Sequence, residues 1–137
     1  MFVSEAMNKK PKTISPDASL ERAVKIMKKH GISSLIVLEK RKPYGIITSF
    51  DVFSASRKKN ASVKDAMKKN LISVSPEDSL NYAASLMMRN KIQKLPVLEN
   101  GKLVGIITAS DMMEYQKSLV DKFRKISDVR KYMGVGF

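Results

Sequence analysis

The sequence predicts an α/β (α+β) fold of two tandem β-α-β-β-α units packed about a pseudo-twofold axis into one module, and three observations carry that prediction. The chain repeats itself: at an offset of sixty, Val3 to Val52 matches Val63 to Met112 without a gap, and about twenty of the fifty pairs are identical. Each copy alternates short β-branched runs with amphipathic helical patterns. A single unit could cover only one face of its small sheet, so two must stack to bury both. At 137 residues and 43% hydrophobic content, the chain suffices for one compact domain or for two halves sharing a core.

Each copy opens with a short helical piece, Val3 to Met7 and Val63 to Met67, the second preceded by Ser62 as an N-cap. Thr13-Ile14-Ser15-Pro16 and Ser73-Val74-Ser75-Pro76 follow as extended segments, because proline forces the residue before it out of the helical region. Ser19 and Ser79 start helices whose apolar positions, Leu20, Ala23, Val24, Met27 and Leu80, Ala83, Ala84, Met87, recur at helical spacing and mark a core face. Gly31 ends the first helix as a left-handed cap, with His30 against the last carbonyls; Lys91 after Asn90 takes that place in copy two.

Two strands then pair in each copy, Ser34 to Glu39 with Pro43 to Thr48, and Leu95 to Glu99 with Lys102 to Thr108. Asn100-Gly101 is a two-residue hairpin turn, whereas Lys40-Arg41-Lys42-Pro43 reads as a looser one. Helices from Ser49 to Lys58 and from Ser110 to Lys125 close the copies, the second with Met112, Leu119, Val120 and Phe123 as an apolar face. The repeats therefore span 3–58 and 62–125, joined by the basic connector Arg57-Lys58-Lys59-Asn60, and 126–137 form a short C-terminal helix and tail.

Composition narrows the function. The absence of cysteine removes disulfides, thiolate metal sites and cysteine nucleophiles, and a single histidine leaves little material for a zinc site or a Ser-His-Asp triad. No catalytic constellation with a usable base or metal set is present, so a non-enzyme is expected. No apolar run is long enough to cross a bilayer and no charged-then-apolar leader precedes the chain, which reads as soluble and cytoplasmic. The net charge of +13 concentrates anions, whether free nucleotides, nucleic acid or an acidic protein surface.

The chemistry concentrates in Gly45-Ile46-Ile47-Thr48-Ser49-Phe50-Asp51 and its copy Gly105-Ile106-Ile107-Thr108-Ala109-Ser110-Asp111. Each reads as a glycine turn, a short strand, then a hydroxyl and a carboxylate three residues apart where a helix begins. Unpaired N–H groups of a first helical turn favour a phosphate, and an acid one turn in suits a ribose diol. The same Thr-x-x-Asp spacing is also a capping box, in which hydroxyl and acid serve only the helix start. The ligand reading fails if Asp51 and Asp111 cap their own helices with no cavity beside them.

Together, the repeated Val-x-x-x-Met, the Ser-Pro, the Ile-x-x-Leu-x-Val-Leu strand (Ile32 to Leu38, and Ile92 to Leu98 with Pro96) and the closing Gly-Ile-Ile-Thr-x-x-Asp resemble a tandem pair of cystathionine β-synthase (CBS) domains, a Bateman module, over residues 3 to 112. The resemblance implies a non-enzymatic sensor that takes AMP, ADP, ATP or S-adenosylmethionine in clefts between the repeats, often as a homodimer of pairs. It assigns to the stronger cleft Thr108 and Ser110 for phosphate, Asp111 for ribose, Ile106, Ser15 and Leu20 near the base, Ile32, Ser33 and Ser34 as the strand edge, and Lys94 for phosphate. The weaker cleft takes Ile46, Thr48 and Asp51, faced by Ser75, Leu80, Ile92 and Gln93, with Phe50 where the stronger cleft has Ser110. No catalytic cofactor or metal is implied. With no effector domain attached, an effector protein in trans or the dimer partner is expected to respond.

Two other functions compete. A basic nucleic-acid-associated protein would use Lys117, Lys122, Arg124, Lys125, Arg130 and Lys131 on the last helices, and its binding would weaken steeply with salt. A dimerisation scaffold with empty clefts would rely instead on the Met112, Leu119, Phe123 face.

Overall fold

The computed structural model describes residues 1–124, with side chains described to residue 118. The expected tail helix at 126–137 and the basic residues Lys125, Arg130 and Lys131 lie outside the described residues, and the side chains of Leu119, Val120, Lys122, Phe123 and Arg124 lie outside the described side chains. The elements run α1 (Val3–Ala6), β1 (Thr13–Ile14), α2 (Leu20–His30), β2 (Ser34–Glu39), β3 (Lys42–Thr48) and α3 (Ser49–Ala55). Then come α4 (Val63–Ala66), α5 (Leu80–Asn90), β4 (Lys94–Glu99), β5 (Lys102–Thr108) and α6 (Ala109–Arg124).

Local chemistry explains the helix bounds. Ser19 and Ser79 accept the N–H groups of Arg22 and Tyr82 at 3.1 and 3.0 Å, capping α2 and α5. Gly31 (φ 63°) and Lys91 (φ 54°) end them in the left-handed region. The third helix stops at Ala55, short of the expected Lys58, where the Ser56 hydroxyl donates to the Phe53 carbonyl at 2.7 Å. The strands β2 and β3 pair antiparallel with β1 parallel alongside, whereas β4 and β5 form a two-stranded sheet beside which Val74 makes a single parallel bridge to Val97.

The structure corrects two turns. Lys40-Arg41 is not a looser connection: both residues are left-handed (φ 51° and 67°), like Asn100-Gly101 (φ 53° and 76°), so the two hairpins turn alike although only one has the preferred residues. Gly45 and Gly105 are not turn glycines either; both lie inside strands, β3 and β5.

What those glycines admit is the main departure from the repeat boundaries. Val3 belongs to the second repeat's core, with Val74, Ala83, Met87, Leu95, Val97 and Ile107. Val63 belongs to the first repeat's core, with Ile14, Ala23, Met27, Leu35, Val37 and Ile47. The opening segments are exchanged. Asn8 and Ile106 trade backbone hydrogen bonds at 2.8 and 2.9 Å, as do Lys68 and Ile46 at 2.9 and 3.0 Å. A Cβ at Gly45 would strike the Lys68 carbonyl, and one at Gly105 would lie 2.9 Å from the Asn8 carbonyl, so glycine lets each exchanged segment reach its strand. Burying each valine is worth roughly 1.5–3 kcal/mol to the half it enters. The halves meet at a third cluster, Ile36, Leu103 and Ile106 flanked by Leu38, Ile46 and Leu98, which is the shared seam expected of stacked units.

Candidate functional site

The two strand-to-helix turns come together across that seam. Thr48 and Thr108 each end a strand and start a helix, and each is a capping box. The Thr48 N–H donates to Asp51 Oδ2 at 2.9 Å while the Asp51 N–H donates to Thr48 Oγ1 at 3.1 Å. The second copy repeats this at 3.1 and 3.0 Å. Further, the Ser49 and Ala109 N–H groups donate to the Ser33 and Gln93 carbonyls, both at 2.9 Å. The expected cluster of unpaired amides is thereby reduced in each turn to one, that of Phe50 or Ser110.

Capping does not exhaust these side chains. A threonine oxygen that accepts an N–H still has its own proton to donate, and a carboxylate with one oxygen engaged still has a second acceptor. Asp51 Oδ1 faces Lys68 Nζ at 4.0 Å, and the carboxylate is 7% exposed.

Beside both turns lies an open cavity of about 640 Å³, within the size range of small-molecule sites. It draws together residues assigned to both clefts, so the two expected clefts share one cavity. From the stronger set Ile32, Ser33, Ser34, Lys94, Thr108 and Ser110 line it; from the weaker set Ile46, Thr48, Phe50, Ile92 and Gln93 do. Asp51 and Asp111 are held in their caps next to the lining threonine turns and are not themselves among the lining residues, and Ile106 is buried in the seam. Ser15, Leu20, Ser75 and Leu80 are not brought to the cavity. The Ser15 hydroxyl accepts the Asp17 N–H at 3.2 Å, the Ser75 N–H donates to the Asp78 carboxylate at 2.8 Å, and Leu20 and Leu80 pack against the two half-cores.

Lys94 reaches across the pseudo-twofold, its Nζ donating to the Ser34 carbonyl at 3.4 Å. Burial pushes its pKa below the ordinary lysine value, while the nearby Asp111 charge partly opposes the shift. Two further cations in the wall, Lys68 and Lys91, escaped the sequence reading. Lys91 could have been found as the counterpart of Gly31 at the end of α5. Lys68 could not, because its placement depends on the exchange of segments.

A family model for the CBS domain matches twice, at residues 3–58 and 63–118. The chain belongs to the CBS domain family. As a CBS pair it is 46% identical over 109 residues to an inosine-5′-monophosphate dehydrogenase from Korarchaeum cryptofilum, covering 77% of this chain but only 22% of that enzyme. It is 29% identical over 120 residues to the CBS domain-containing protein YhcV of Bacillus subtilis, covering 85% and 86% of the two chains. The CBS domain pair of protein MJ0100, solved with 5′-methylthioadenosine and S-adenosyl-L-methionine, superposes with a TM-score of 0.77 at 28% identity, covering 86% of this pair and 97% of that chain. AcuB of Vibrio cholerae superposes at 0.84 and 26% identity over 91% and 96%.

Among the described residues no helix is long and apolar enough to cross a membrane, and no group of three or more His, Asp or Glu could hold a metal ion.

Proposed function

We propose that this CBS pair is a regulatory module that binds an adenosine ligand in the cavity between its repeats and acts through another chain or a second copy rather than by catalysis. The observation that carries the proposal is the cavity itself, walled by both Thr48 and Thr108 turns with Lys94 across the axis. The adenosine ligands of the MJ0100 pair support it, at 28% identity over nearly the whole module. Threonine protons, the Phe50 and Ser110 amides and Lys94 would hold the charged end, and the free oxygen of Asp51 or Asp111 would accept from the ribose. The test is a thermal-shift and calorimetric screen over AMP, ADP, ATP, adenosine, 5′-methylthioadenosine and S-adenosylmethionine. Binding that raises the melting temperature, and is lost in Thr108→Val with Lys94→Met, supports the site. A melting temperature unmoved by every adenosine compound would leave the scaffold function in its place.

A further inference from the structure

The cavity wall has a charge pattern that the 5′-methylthioadenosine and S-adenosyl-L-methionine of the MJ0100 pair do not account for. Three lysines line it, Lys68, Lys91 and Lys94, and no aspartate or glutamate is among the lining residues. Among the described residues, Lys68 alone of the three has a carboxylate within 4.0 Å, the Oδ1 of Asp51. Lys68 is also firmly placed: its backbone is held against β3 by the paired hydrogen bonds to Ile46, beside Gly45, while its side chain is 69% exposed. Its ammonium is therefore tethered at a fixed base and free at its tip. At 4.0 Å and with the lysine side of the pair in solvent the contact is loose, so an incoming anion of higher charge competes for the ammonium readily.

We propose that Lys68 and Lys91 make this cavity selective for adenosine ligands bearing two or more phosphate groups, and that Lys68 exchanges Asp51 for the phosphate when such a ligand enters. The inference rests on the adenosine site proposed above and adds to it the charge of the ligand. The partner exchange frees Asp51 Oδ1 at the moment a ribose hydroxyl needs an acceptor, so the two ends of the ligand assist each other. A sulfonium such as S-adenosylmethionine brings a cation into a wall of cations and is disfavoured by the same field.

Isothermal titration of the full chain with ATP, ADP, AMP, adenosine and S-adenosylmethionine tests this, using the parent, Lys68→Met and Lys68→Arg. In the parent, ATP should bind about tenfold or more tighter than AMP, with S-adenosylmethionine the weaker of the adenosine compounds. Lys68→Met should remove most of the advantage of ATP over AMP and leave adenosine within about twofold, Lys68→Arg should keep the ranking, and added salt should shrink it. S-adenosylmethionine binding as tightly as ATP, an unchanged ranking in Lys68→Met, or an equal loss for adenosine and ATP in that variant would overturn the charge selectivity while leaving the adenosine site standing. No binding of any adenosine compound to the parent would overturn both.

Discussion

Lys94 Nζ lies 3.4 Å from the carbonyl oxygen of Ser34, the residue that occupies the same place sixty positions earlier. The pseudo-symmetry is broken at its own axis: one side chain crosses it, and the half-buried charge has no symmetric counterpart. An ammonium there is a stability cost, which the proposed binding role would explain.

The cost has a pH signature. Burial lowers the Lys94 pKa, so the unfolded chain holds this proton more tightly than the folded one. The penalty is therefore full at neutral pH and fades as pH rises toward the ordinary lysine value of 10.5. Lys94→Met should raise the ligand-free melting temperature by about 1–2 °C at pH 7, a small gain because the side chain is partly wet, and by less at pH 10. Thermal unfolding at the two pH values checks this; a stabilisation that grows with pH contradicts it.

Gly45→Ala should cost about 3 kcal/mol and Gly105→Ala about 2 kcal/mol in equilibrium urea unfolding. The order follows from what each Cβ meets: it strikes the Lys68 carbonyl outright in the first case, and in the second lies 2.8 Å from the movable Met7 sulfur and 2.9 Å from the Asn8 carbonyl, a milder overlap. Losses near those of a surface substitution would mean that the exchanged segments do not press on these strands.

Lys40→Asn with Arg41→Gly should stabilise the chain by about 1 kcal/mol, since two side chains now sit in left-handed backbone that asparagine and glycine adopt at lower cost. Chemical denaturation measures it, and an unchanged midpoint would show that the strain is relieved elsewhere.

Asp51→Ala and Asp111→Ala should each cost about 1 kcal/mol of stability through the lost cap. Their effects on AMP affinity should differ, with Asp111→Ala the more damaging because Ser110 offers a hydroxyl where Phe50 offers none, whereas ATP, which engages Lys68, should lose more in Asp51→Ala. Titration with fluorescent AMP and ATP at a temperature where both variants are folded reads the difference, and equal losses would remove the ranking of the two clefts.

Much of this was legible in the residues. Serine caps, the Gly31 stop, the alternating strands and the Asn100-Gly101 hairpin are local signals, and the structure places them within a residue or two of expectation. The capping box was legible in Thr-x-x-Asp, and the structure holds the cap with a cavity beside it. The destination of the opening segments was not legible. Val3 and Val63 stand in nearly identical local sequences, so either valine satisfies either core, and hydrophobic patterning cannot tell which half it joins. The role of the glycines in Gly-Ile-Ile-Thr follows from that placement, as does the position of Lys68. Ser15, Leu20, Ser75 and Leu80 were assigned by resemblance and lie away from the described cavity.

The exchange of opening segments also means that the unit copied in sequence is not the unit that closes in space. A polypeptide cut to one copy keeps its first helix but loses the hydrophobic socket that receives it, and it presents an empty socket of its own. Reciprocal donation between two such fragments would fill both sockets, so a lone copy is expected to pair by exchange rather than to close on itself.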